Sequence, residues 1–323
     1  MAGWLATAPD ARANLASQVE GLSGFSGLPA DRLTQGEVVS QLLKMGRRQD
    51  VGVESLFFVP VAPEAVANRL ASWTPTKHPS LGVMIHQGFS PPPTAETFGQ
   101  LATPPGSAAI SLLERETARA VPRFNLSTAE WGLLKEMLGR ERGAETVWRF
   151  WRQLLNERSN TYFSKGLRAM PAYQTRNGEV KVREVALALI RSQPKLFENF
   201  KGLLADAIFA PKSGVQTRAY WELFSVQGFG TLNLGALYFG PGGGGMQVID
   251  FQYYFSSGLY TNMIFYQIWP AELGGQRGSV VWRADLLSSP FFKSSGVNRM
   301  GTNMMMQQEV TKTINLQKGD LGP

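Results

Sequence analysis

The chain has 323 residues, 43% of them hydrophobic, a formal net charge of +7 and no cysteine. It is long enough for one large domain or two ordinary ones around a substantial core, and the missing thiols exclude disulfides, zinc–thiolate sites, iron–sulfur clusters and cysteine nucleophiles. No apolar run reaches the ~18 to 20 residues that span a bilayer, and the N-terminus lacks a charged segment followed by an apolar run.

Met1-Ala2-Gly3 is compatible with a chain whose export signal was trimmed, periplasmic or secreted, and the compartment stays open. Basic residues are mixed with acidic ones, as in Arg140-Glu141-Arg142 and Lys181-Val182-Arg183-Glu184, the pattern of solvated helix faces. No nucleic-acid partner is therefore expected, while a loose, peripheral attraction to anionic membrane surfaces fits the charge.

Residues 9–22 read as an amphipathic helix with Leu15, Val19 and Leu22 on one stripe, ended by Gly21, Gly24 and Gly27. Two strand-like runs, Glu37 to Met45 and Val51 to Val61, flank a hairpin turn at 46–50. Pro63 opens a helix that carries Val66, Leu70 and Trp73 on one face. From Thr74 to Ala108 seven prolines enforce loop, with room for a short strand from Leu81 to His86. His78 and His86, the two histidines of the chain, fall in this stretch and read as ordinary loop residues, since no carboxylate stands at ligand spacing.

Residues 109–209 carry helical periodicity. Ser127 and Glu130 have capping-box spacing before Trp131, Leu134 and Leu138, and Val147, Trp148, Trp151, Leu154 and Leu155 continue the period. Further helices are expected at Val182 to Ser192 and Pro194 to Ile208, with a turn at Asn177-Gly178 in the connection before them. The whole reads as a helical insertion or subdomain of three or four helices whose apolar stripes need a partner. Residues 1–108 belong with the sheet that follows, and 210–323 form the third part.

That third part holds five runs rich in aromatic and β-branched residues: Thr217 to Val226, Phe229 to Phe239, Met246 to Phe255, Leu259 to Trp269 and Ser279 to Leu287. Turn chemistry separates them, so they read as an antiparallel meander. Gly242 to Gly245 invites comparison with a phosphate-cradling loop, but a strand follows it and no lysine does, so it reads as a hairpin tip. Charge is sparse enough for both faces to be covered. Alternation places Arg218, Tyr220, Glu222 and Phe224 on one face, and Val281, Arg283, Asp285 and Leu287 on one face. These ions, with Asp250, either pair across strands or orient the polar end of a ligand. A closing helix follows, firm from Asn298, whose expected apolar stripe is Met300, Met304, Val310 and Ile314.

Two opening strands, a helix, a long middle, an antiparallel meander and a last helix form an order that resembles the START-like, helix-grip superfamily. The likeness covers about 31–73 and 213–318. It implies an α+β fold in which a curved antiparallel sheet wraps on the C-terminal helix and encloses a hydrophobic or amphiphilic small molecule or lipid, without catalysis. On that expectation Trp221, Tyr238, Tyr254, Phe265, Trp282 and Arg283 line the cavity, and no cofactor, metal or catalytic residue is assigned. The alternative is a structural or interaction protein with a side-chain-filled core, whose helical region docks a partner.

Overall fold

A computed structural model describes residues 8–94, 96–175, 178–208, 215–293 and 297–322. The fold is α+β, with an eight-stranded antiparallel sheet that does not close on itself and nine α-helices among the described residues. The first helices are α1 (Ala8–Leu22) and α2 (Ala30–Thr34), the second of which the sequence pattern did not suggest. Strands β1 (Val39–Leu43) and β2 (Asp50–Val59) form the expected hairpin, with Val39 opposite Leu56. Helix α3 (Pro63–Ala71) starts on its proline. Strand β3 (Val83–Phe89) then runs inside the proline-rich stretch, so His86 sits in a sheet and not in a loop.

The middle of the chain contains five helices, α4 (Ala108–Ala118), α5 (Thr128–Arg140), α6 (Ala144–Lys165), α7 (Val182–Arg191) and α8 (Pro194–Ile208), against the three or four expected. The capping box at Ser127 and Glu130 is present, each side chain bonding the other residue's backbone N–H. A small hairpin, β4 (Tyr173–Thr175) with β5 (Gly178–Val180), interrupts the helices; the expected turn residue Asn177 lies outside the described residues. The meander follows as β6 (Gln216–Val226), β7 (Phe229–Gly242), β8 (Gly245–Phe255), β9 (Thr261–Leu273) and β10 (Gln276–Ser288). The chain closes with α9 (Val297–Leu321). Between β7 and β8 the turn residues Gly243 and Gly244 have φ of 58° and 78°, the left-handed pair that a tight hairpin of this twist needs.

The strand order is β1-β2-β10-β9-β8-β7-β6-β3, so the meander is continued at one edge by β2 and β1 and at the other by β3. Helices cover both faces, which explains why β2 and β10 are almost wholly buried and read as continuous apolar runs. Alternation sends Leu56, Leu234, Met263 and Val280 into a large core shared with α4 to α8 and α1. The neighbouring positions Phe57, Ile264, Ile268 and Val281 enter a smaller core with Val66 and Leu70 of α3 and Val310 and Ile314 of α9. The apolar stripes of 109–209 thus find their partner in the sheet.

Helix α9 buries half of the expected stripe, Val310 and Ile314, and not its methionines. Val310, Ile314, Gln317 and Leu321, spaced four, three and four, face the sheet side, whereas Met300, Met304 and Met305 are 65%, 55% and 54% exposed. The two methionines at 300 and 304 continue the phase of Thr311, one position off the buried row, and their apolar character alone did not bring them inward.

Candidate functional site

Between the sheet and the layer of α3 and α9 lies a cavity of about 570 Å³. Its floor is the face of β6, β8, β9 and β10 that bears Tyr220, Glu222, Asp250, Tyr266, Arg283 and Asp285. Apolar walls come from Leu70, Leu237, Phe255, Ile264 and Val310, and Trp73 and Pro75 close one side. Ser72, Arg218 and Glu309 are exposed and mark where it opens, whereas Tyr220, Glu222, Arg283 and Asp285 are buried.

Of the six residues expected to line a cavity here, only Arg283 does so. Trp221, Tyr238, Tyr254, Phe265 and Trp282 point to the opposite face and pack under the helical layer. The reason is strand parity: Trp221 is one residue from Tyr220 and Trp282 one from Arg283, so the large aromatics and the ions necessarily face opposite ways. Tyr254 has an additional cause. Asn233 pairs with Phe255 and Leu234 with Tyr254, but Gly235 pairs with Gln252, so Tyr253 is an extra residue in β8. This bulge turns both Tyr253 and Tyr254 toward the helices. There Tyr162 stacks on Tyr253 at 3.8 Å and shares a 2.6 Å hydrogen bond with Tyr238. The tyrosines are therefore divided between the two faces, with Tyr220 and Tyr266 on the cavity side.

The polar floor is a connected set. Tyr220 Oη donates to Asp250 Oδ1 at 2.7 Å, Gln252 Nε2 donates to Tyr220 Oη at 3.1 Å, and Asn262 Nδ2 donates to Gln252 Oε1 at 2.9 Å. A second group centres on Glu222, which receives His86 Nδ1 at 2.8 Å and Asn233 Nδ2 at 2.9 Å. A third joins Arg283 to both oxygens of Asp285, at 2.8 and 2.6 Å, and to Gln317 of α9 at 2.8 Å. Removal from water raises the Asp250 carboxyl to about 7; the Tyr220 hydrogen bond opposes the rise, and the Glu222 charge adds to it. Burial holds the Tyr220 phenol well above its ordinary value, and the adjacent Asp250 pushes the same way. Burial would by itself favour loss of the Arg283 proton, but Asp285, Tyr266 and Asp250 together more than compensate, so the guanidinium is raised and stays charged.

His86 is a strand residue and His78 a loop residue as expected, and each is bonded to a carboxylate. His86 reaches Glu222 across the β3–β6 pair, where the two stand directly opposite, and His78 bonds Asp320 of α9 at 2.7 Å. Trp73 Nε1 also donates to Asp320, at 2.8 Å, so the end of α9 is fastened to the segment that closes the cavity. These partners lie 136 and 242 residues away in sequence, out of reach of any spacing rule.

Among the described residues no group of three or more histidines and carboxylates is placed to hold a metal, and no helix is long and apolar enough to cross a membrane. Compared with family models, with curated proteins and with solved structures, the chain matches none.

Proposed function

We propose that the protein binds an amphiphilic small molecule or lipid in the cavity between the sheet and α9. The observation that carries this reading is the space itself: about 570 Å³ with apolar walls and a few convergent polar groups on its floor. Small-molecule sites occupy roughly 300 to 1,000 Å³ and have this composition. The order of elements, with α3 after β2 and α9 last, also supports the likeness to helix-grip proteins, where the corresponding space holds the ligand. The floor's hydrogen bonds serve to orient a polar end, and nothing in the arrangement requires a reaction.

The test is native mass spectrometry of the protein as purified, followed by solvent extraction, and then a panel of fatty acids, sterols and aromatic amphiphiles. Trp73, on the cavity wall, is the fluorescent reporter. A ligand that binds only the folded state changes its emission saturably and raises the melting temperature. Filling the space by Leu237→Trp abolishes both; Ala236→Trp is no substitute, because Ala236 faces the helical layer. No copurified molecule and no saturable change across the panel would overturn the proposal.

A further inference from the structure

The hydrogen bonds of the floor have a direction, and it constrains what the cavity can accept. Asp250 can only accept when ionised, so the Tyr220 hydroxyl spends its proton on it. The phenol oxygen must then accept from Gln252, which fixes the Gln252 amide with its nitrogen toward Tyr220 and its oxygen toward Asn262. The chain of donation runs from Asn262 through Gln252 and Tyr220 and ends on the Asp250 carboxylate. The second oxygen of Asp250 receives no hydrogen bond among the described residues, although Asp250 is only half-buried and lines the cavity.

Glu222 is a second carboxylate on this face. Its two oxygens are met by His86 and Asn233. Of the cations nearby, Arg283 is ion-paired with Asp285 and also bonds Gln317, and Arg218 stands exposed at the opening. The floor therefore carries three carboxylates, Glu222, Asp250 and Asp285, against one buried cation, Arg283, which is paired with Asp285, and its excess charge is negative. Burial raises the Asp250 carboxyl, and the pull of Arg283 and His86 in the other direction does not cancel that rise.

We propose that the cavity selects ligands carrying a protonated amine, which sits against Asp250 while the apolar body lies on Leu237, Ile264 and Val310. This rests on the binding function proposed above and names the chemical class of its ligand. An ammonium brings three N–H donors and a positive charge to a carboxylate partly shielded from water. A carboxylate head would instead meet Asp250 and Glu222 with like charge, and a hydroxyl brings one donor and no charge.

The experiment compares decylamine, decanol and decanoate, equal in chain length, by calorimetry and Trp73 fluorescence at about pH 8, where the amine is cationic. The amine should bind about tenfold or more tighter than the alcohol, with the acid weakest. Asp250→Asn should remove most of the amine's advantage over decanol. In Arg218→Gln, at the rim, the preference for amine should persist. Equal binding of amine and alcohol by the wild-type protein, or preference for the acid, overturns the amine assignment while leaving a ligand cavity in place. Failure of all three to bind overturns the cavity function itself.

Discussion

The Tyr220 hydroxyl reaches Asp250, at 2.7 Å, across the strand that separates them. Tyr220 lies on β6 and Asp250 on β8, and the residue of β7 paired with Tyr220 is Gly235. A Cβ there would stand 2.2 Å from Tyr220 Cζ, so the phenol can cross only because that position is glycine. Gly235→Ala should therefore fold, since the ring can swing aside, but the phenol should lose Asp250. The Tyr220 bond holds the Asp250 carboxyl below where burial alone would put it. Both Gly235→Ala and Tyr220→Phe should raise the Asp250 titration midpoint, measured by carboxyl carbon NMR. An unchanged midpoint in Tyr220→Phe would show that the bond is not made in solution.

Asp250 also sets a pH dependence of stability. Its folded value is raised to about 7, against ~3.9 in an unfolded chain. Below about pH 4 both states carry the proton and the contribution is fully present; as pH rises to about 7 the unfolded chain ionises first, and stability is lost. Glu222, His86, Arg283 and Tyr220 all act on the same carboxyl, so the measurement is the difference between wild type and Asp250→Asn. The variant should gain roughly 1 to 3 kcal/mol on wild type between pH 4 and 8 in urea unfolding. Parallel stability curves would mean that water solvates Asp250 as it does any surface carboxylate.

Beneath the helical layer, Arg158 is 1% exposed and donates to Glu130 Oε2 at 2.7 Å. Its guanidinium lies 4.4 Å from the Tyr254 ring centre and 5.3 Å from that of Tyr173. Glu130 is also the capping residue of α5, so one carboxylate closes a helix and neutralises a buried charge. Glu130→Gln keeps a side chain of the same shape but leaves Arg158 uncompensated. It should cost about 3 to 5 kcal/mol, and the double variant Glu130→Gln, Arg158→Met should recover much of that. A single variant within ~1 kcal/mol of wild type would mean that water reaches the pair.

The meander, its hairpin turns, the first hairpin and the capping box were legible because each is local: alternation, glycine pairs and a three-residue spacing identify them without tertiary knowledge. The shared face of Tyr220 and Glu222 was legible too, as was that of Arg283 and Asp285. What alternation could not say was which face meets which layer. Trp221 and Trp282 seemed apt cavity linings by size and chemistry, yet five helices of the middle segment need a broad aromatic surface and take them. His86 was obscured by the prolines around it, and Gly235 by being one of 34 glycines; its role appears only when Tyr220, two strands from Asp250, is seen to cross it.

The last helix separates residues that composition treats alike. Ile314 is fully buried, in the small core with Val310, Val281 and Ile268, while Met300 and Met304 of the same helix are mostly exposed. Ile314→Ala should cost about 2 to 5 kcal/mol, because it empties a site held between the sheet and α3. Met300→Ser with Met304→Ser should stay within about 0.5 kcal/mol, as substitutions away from packed contacts do. Chemical unfolding of the two variants is the measurement. If the methionine pair destabilises as much as Ile314→Ala, the first turns of α9 are covered in solution and the helix lies against the protein along its whole length. If Ile314→Ala is neutral, α9 is peripheral, and the cavity it roofs loses one wall.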